Sequence, residues 1–228
     1  MKRSKRRIVI IIIISLAALL LIASGAYLIV FKIATSKMNP SETGELIPGF
    51  LAVNTGYVSF YLIKADGNKK YIAIDAGMGA SKAREGLQHL GISADDITAV
   101  LLTHAHADHT GALSLFDKAV VYAGGNTESG KVSKKLKDGE TTVISGIQVQ
   151  CIYTPGHTND SVCYLINNSY LFSGDTLSLQ DNQVGMFISL FNKSDETQAA
   201  DIKRLAALSG VKYVFSAHHG YTDRAVFP

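Results

Sequence analysis

The run Ile8 to Phe31, IVIIIIISLAALLLIASGAYLIVF, contains no charged residue and constrains this 228-residue chain more than any other feature. Its 24 residues would extend roughly 36 Å as a helix, enough to cross a hydrocarbon core with some tilt. Lys2, Arg3, Lys5, Arg6 and Arg7 precede the span, while Lys32 and Lys37 follow it. That bias predicts a cytoplasmic N-terminus and an exported remainder. Small residues at Ala23-Ser24-Gly25-Ala26 also suit a signal peptidase, so a cleaved leader is the competing reading. The apolar run continues from Tyr27 through Phe31, which favours an uncleaved anchor. The expected divisions are a basic tail over 1–7, a membrane helix over 8–31, a polar tether over 32–48 and a folded domain over 49–228.

Charge follows the same division. Residues 1–37 hold seven Lys or Arg and no acid, whereas the rest carries 15 basic and 19 acidic residues, net −4. The exported part has no basic stripe of the kind that binds nucleic acid. Lys131, Lys134, Lys135 and Lys137 read as a solvated face. No obligate protein partner is evident. Two cysteines, Cys151 and Cys163, sit in strand-like runs. One disulfide is permitted outside the cytoplasm, and a pair of buried thiols is the simpler expectation.

Beyond the tether, runs rich in Val, Ile, Tyr and Phe alternate with turn residues. GYVSFYLIKADGNKKYIAIDAG reads as a hairpin turning at Asp66-Gly67, and SKAREGLQHLGI as a short helix stopped by Gly91. TTVISGIQVQCIYTP and SVCYLINNSYLFSGD read as further hairpins, turning near Ser145-Gly146 and Asn167-Asn168. Ser194 caps a helix with Ile202, Leu205 and Leu208 inward, and VKYVF is the last strand. Strands, then helix and strand, repeated twice, suit two packed sheets with helices outside. Asn167-Asn168-Ser169 and Asn192-Lys193-Ser194 match the glycosylation triplet, a signal only in a eukaryotic secretory route.

THAHADHTGAL places three of the seven histidines within six residues, just after a strand. In extended chain His104 and His106 point the same way. Asp108 and His109 fall where the chain turns toward a helix, so one stretch offers two neighbouring ligand pairs. Downstream, TPGHT puts His157, FSGDT puts Asp175, and VFSAHHG puts His218 and His219 at other strand ends. A lone histidine there is usually just hydrogen-bonded or exposed, and His89 keeps that reading. The weight lies in the set.

In order and spacing these motifs resemble those of the metallo-β-lactamase superfamily, over nearly all of Phe50 to Tyr221. The resemblance implies an αββα sandwich with a dinuclear site along one edge. It implies one ion on His104, His106 and His157, a second on Asp108, His109 and a terminal histidine, and Asp175 as the bridge. Ala217 before His218 and Gly220 after His219 leave the terminal ligand open, and counting from VKYVF favours His218. Asp75, in YIAIDAG, looks like a residue that orients the histidine loop.

Such ligands suit two divalent ions, zinc first, with iron or manganese also accommodated. The implied chemistry is attack by metal-bridged hydroxide on a carbonyl, with Asp108 passing the proton to the leaving group. Aspartate at position 175 looks more like the glyoxalase II, lactonase and esterase-like branches than the β-lactamases with cysteine there. Met186, Phe187, Ile188, Leu190 and Phe191 are either a substrate wall or core packing under a loop. The leading expectation is a membrane-anchored, outward-facing hydrolase of a small ester, lactone, thioester or amide. A single-iron oxidoreductase like the superfamily's persulfide dioxygenases, and a non-catalytic surface binding protein, are the alternatives.

Overall fold

A computed structural model describes residues 2–65, 69–128 and 130–228, so the Asp66-Gly67 turn lies outside the described residues. Two units emerge, Met1–Met38 and Asn39–Pro228. The first is helix α1, Lys2–Thr35. Within its stretch from Arg7 to Thr35 an 18-residue window has a mean hydropathy of 3.0, and among the described residues α1 is the one helix long and apolar enough to cross a membrane. Leu20, Leu21 and Ile22 stand exposed along it.

The second unit begins with β1 (Gly44–Ile47), β2 (Phe50–Asn54), β3 (Ser59–Lys64) and β4 (Tyr71–Ile74), followed by α2 (Ala80–His89). Next come β5 (Ile97–Leu102), the single turn α3 (Ala107–Thr110), β6 (Val120–Gly124) and β7 (Lys134–Leu136). Strands β1 to β7 form one sheet in chain order, antiparallel as far as β4 and parallel from there. The remaining elements are β8 (Thr141–Ile144), β9 (Ile147–Tyr153), β10 (Val162–Ile166), β11 (Tyr170–Phe172), β12 (Leu177–Gln180), β13 (Gln183–Met186), α4 (Asp195–Ala206), β14 (Tyr213–Ser216) and β15 (Gly220–Thr222). The second sheet runs β15-β14-β11-β10-β9-β8, and β12 pairs with β13 alone.

Period-two alternation explains the layering. In β3, Tyr61 and Ile63 face the second sheet, where they join Val149, Cys151, Tyr164, Phe172 and Phe215. Phe60 and Leu62, their neighbours, face outward and pack with Ala83 and Leu87 of α2. On the far side, Cys163, Leu165 and Val214 bury Ile202 and Leu205 of α4. Helix, sheet, sheet, helix is therefore the αββα order expected from the sequence. Cys151 pairs in register with Tyr164 and Cys163 with Ile152, so the two thiols lie on opposite faces of their sheet. Both are free and buried; burial pushes them up to about 12 and about 11.

Turns of the hairpins at Ser145-Gly146 and Asn167-Asn168 have positive φ at all four positions, which Asn and Gly tolerate best. The compact unit starts at Asn39, whose N–H donates to the carbonyl of His218 at 2.8 Å. Ser41 follows, its carbonyl accepting from Asn54 Nδ2 and Ser59 Oγ. Much of the polar stretch read as a tether is thus packed onto the sandwich.

Candidate metal centre

Strand β5 ends at Leu102, and the chain then delivers the histidine loop at the sandwich edge. The His104 and His106 rings lie 4.6 Å apart. The single turn α3, closed by His109 N–H and Thr110 N–H on the carbonyl of His106, swings Asp108 and His109 to the other side. Gly111 completes the motif because a Cβ there would meet the carbonyl oxygen of Met78 at 2.0 Å. Loops after β9, β11 and β14 bring His157, Asp175 and His218 to the same place.

The side chains gather in two sets. His104, His106, His157 and Asp175 each offer a ligand atom within 4.8 Å of the others, and so do Asp108, His109 and His218. Asp175 stands between the sets. Its Oδ2 lies 3.5 Å from His157 Nε2 and 3.9 Å from His104 Nε2, while Oδ1 lies 3.3 Å from both His109 Nε2 and His218 Nε2. Asp108 Oδ2 is 3.4 Å from His218 Nε2. Of the adjacent pair, His218 is in the cluster. His219 is buried beside it, in neither set, and burial followed by the nearby His218 lowers it to about 4.

Each inner ring is fixed from behind. Asp75 Oδ2 accepts from His109 Nδ1 and Thr103 Oγ1, both at 2.8 Å, and its Oδ1 accepts from Thr103 N–H at 2.7 Å. Asp75 holds φ 63°, a left-handed backbone that Asp adopts more readily than most residues. His218 Nδ1 donates to the carbonyl of Tyr57 at 2.5 Å. His157 Nδ1 donates to Asn192 Oδ1 at 3.2 Å, and Asn192 Nδ2 in turn donates to the carbonyl of Phe187. With Nδ1 engaged, Nε2 of each ring is left to face inward.

Two observations test whether cations suit this cavity. The donors are neutral-capable imidazoles and carboxylates, the set that borderline divalent ions take. Furthermore, His104 Nε2, His109 Nε2 and Asp175 Oδ1 are buried with no hydrogen-bond partner, although unpaired buried polar atoms are costly and rare. They fit.

Electrostatics agree. Burial opposes the charge of Asp175, but His218 and His109 outweigh it and hold the carboxyl well below the usual range. Burial likewise opposes charge on His109 and His218. Asp175 and its neighbouring acids prevail, raising His109 well above its ordinary value and His218 to about 9. The acids therefore demand positive charge between these rings. Among the apolar residues singled out in the sequence, Phe187 is the one against the cluster, its ring 5.3 Å from those of both His157 and His218. Leu190 is exposed, and Met186 packs on the core under α4. Tyr57, Asn192 and Thr103 carry no sequence signal. Tyr57 acts here through its carbonyl, and Asn192 is 35 residues from the ring it holds.

A family model described as the Metallo-beta-lactamase superfamily matches residues 53–131. Among solved structures, the chain is similar to BJP-1, a subclass B3 metallo-β-lactamase of Bradyrhizobium japonicum, at 20% identity and a TM-score of 0.62, covering 82% of this chain and 81% of that one. It is also similar to a metallo-β-lactamase family protein from Thermus thermophilus, at 22% identity and a TM-score of 0.60, covering 78% and 76%. ETHE1 from Myxococcus xanthus matches at 24% identity and a TM-score of 0.57, covering 73% and 74%. At these identities the solved structures establish the shared fold. The family-model match spans the histidine loop, so that stretch resembles the metallo-β-lactamase superfamily, and the sandwich shares the fold of these solved structures.

Proposed function

We propose that the chain is a membrane-anchored, dinuclear metal-dependent hydrolase of small esters, lactones, thioesters or amides, with its catalytic domain outside the cytoplasm. The observation that carries this reading is Asp175, a buried carboxylate with one oxygen toward each set of imidazoles. His104, His106 and His157 would hold one ion, Asp108, His109 and His218 the other, and Asp175 would be shared. Zinc fits this donor set best. Such ions, when bound, supply Lewis acidity and an acidified water.

The chain's own residues do the remainder. Asp75, the Tyr57 carbonyl and Asn192 hold three imidazoles with Nε2 inward. Phe187 keeps water from the His157 and His218 flank and offers apolar contact to the substrate. Asp108 has a side chain 23% exposed, in contrast to buried His109 and His218. With Oδ2 turned to His218, its Oδ1 is the atom to take a proton and pass it to the leaving group. The long apolar helix, preceded by a basic tail, supports the anchor and its direction.

Full-length protein in detergent, loaded with zinc, should bind two ions per chain and hydrolyse members of a panel of chromogenic esters, lactones, thioesters and β-lactams. A single-iron oxidoreductase is the second reading. It is favoured by the His104, His106, His157 and Asp175 set alone, which contains the two-histidine, one-carboxylate donors of non-haem iron sites. One iron per chain with oxygen uptake, and no hydrolysis, would replace the first reading with the second.

A further inference from the structure

His157 and Asp175 sit in loops that follow β9 and β11, and strand β10 separates those strands in the sheet. The ladder therefore does not fix one loop against the other. One tie lies at their base, where the hydroxyls of Thr154 and Thr176 are 2.8 Å apart. The others come from α4 and the residues leading into it.

Lys193 N–H donates to the carbonyl of His157 and Ser194 N–H to that of Gly156, both at 3.0 Å. Asp201 Oδ2 accepts from Gly156 N–H at 3.0 Å. Gln198 Nε2 donates to the carbonyls of Asp175 at 3.1 Å and Thr176 at 2.8 Å. Gln198 and Asp201 are three apart, hence on one face of the helix, and both are buried. On a face otherwise given to Ile202 and Leu205, a leucine would pack without the desolvation cost of an amide. The approach is also close. A Cβ on Gly156 would lie 2.4 Å from the Cα of Gln198, so a side chain there would drive helix and loop apart.

We infer that Gln198 and Asp201 are positioning residues of the metal centre, clamping the His157 loop and the Asp175 turn to one rigid helix so that two ligands from non-adjacent strands keep a fixed separation. This rests on the metal-binding reading above. Ligand distances must hold within about 0.2 Å, which loops secured only at their bases do not ensure. Loss of either contact leaves every ligand present but lets one loop drift relative to the other.

The test uses full-length protein in detergent, with zinc affinity measured by chelator competition and the cobalt-substituted protein followed by its visible absorption. Q198L and D201L should each weaken the ion at the His104, His106, His157 and Asp175 set by about 10–100-fold and alter the cobalt spectrum. D201N keeps an acceptor for Gly156 N–H and should restore both to wild-type. L205A, on the same helix but buried in the apolar layer, should lower the melting temperature and leave metal affinity unchanged well below it. Wild-type affinity and spectrum in Q198L and D201L would overturn the clamp while the metal reading stands, as would a loss in L205A equal to theirs. Wild-type protein that binds no ion would overturn the metal reading and the clamp with it. If Q198L does not fold, the D201L and D201N pair decides.

Discussion

The two halves of the candidate metal centre are held by different means. On the His104, His106 and His157 side, the supporting groups are neutral: Asn192 behind His157 and the Thr103 hydroxyl 3.2 Å from His104 Nδ1. On the Asp108, His109 and His218 side, a buried carboxylate, Asp75, stands behind His109 and a backbone carbonyl behind His218. The charge states follow. Burial, then the nearby His109, depresses His104 well below its ordinary value, and burial lowers His157. The acids around His109 and His218 raise both. On the first side His104 and His157 are held toward the neutral form, while on the second the acids draw positive charge onto His109 and His218. A site built this way can lose its halves separately.

The largest disturbance should come from the shared residue. Asp175→Asn removes a carboxylate that faces both halves, so both ions should be lost and turnover should fall by more than about 100-fold, beyond what loss of a supporting contact costs. Retention of two ions by elemental analysis would contradict the bridging role. Asp75→Asn should separate the halves. Its amide presents a donor to His109 Nδ1, forcing the tautomer with a proton on Nε2, the atom that must ligate. Affinity for the second ion should drop by about 10–100-fold with the first retained. Asn192→Ala should produce the opposite and smaller selectivity, about 10-fold on the first ion alone, because of the cluster's rings it frees just that of His157. Equal losses from both halves in either variant would show that they act as one unit.

The smallest effect concerns stability. Burial raises Asp201 to about 6, against the Gly156 N–H bond that lowers it. The folded state therefore holds this proton over a range where the unfolded chain has released it, and stability falls as pH rises from about 4 to about 6. Asp201→Asn removes that loss, so the variant should be more stable than wild-type above pH 6, by on the order of 1 kcal/mol after solvent screening. Thermal melts at pH 5 and pH 8 would check it: a gap that does not widen at pH 8 contradicts the shift.

Side chains that gather in the cluster are easier to read from the sequence than those that hold them. His104, His106, Asp108 and His109 are adjacent in the chain, and His157, Asp175 and His218 each close a Val-, Tyr- or Phe-rich strand. Strand counting from VKYVF favours His218 over His219, and His218 is the one that stands in the cluster. The supports have no such syntax. Tyr57 contributes a carbonyl that any residue has, Asn192 resembles part of a glycosylation triplet, and Gln198 and Asp201 hide in an amphipathic helix whose apolar stripe draws attention elsewhere. Short edge strands are equally hard to see. β1, β7 and β15 span four, three and three residues, too few for alternation to show, and the polar residues of β1 and β7 resemble loop.

The bond from Asn39 N–H to the carbonyl of His218 bears on how this domain can be cut free of its helix. Trimming the chain to position 49 would discard that amide together with strand β1, leaving the backbone under a histidine of the cluster with water as its neighbour. Trimming to position 38 keeps both. The shorter excision is the one that should yield a soluble protein with its full complement of ions.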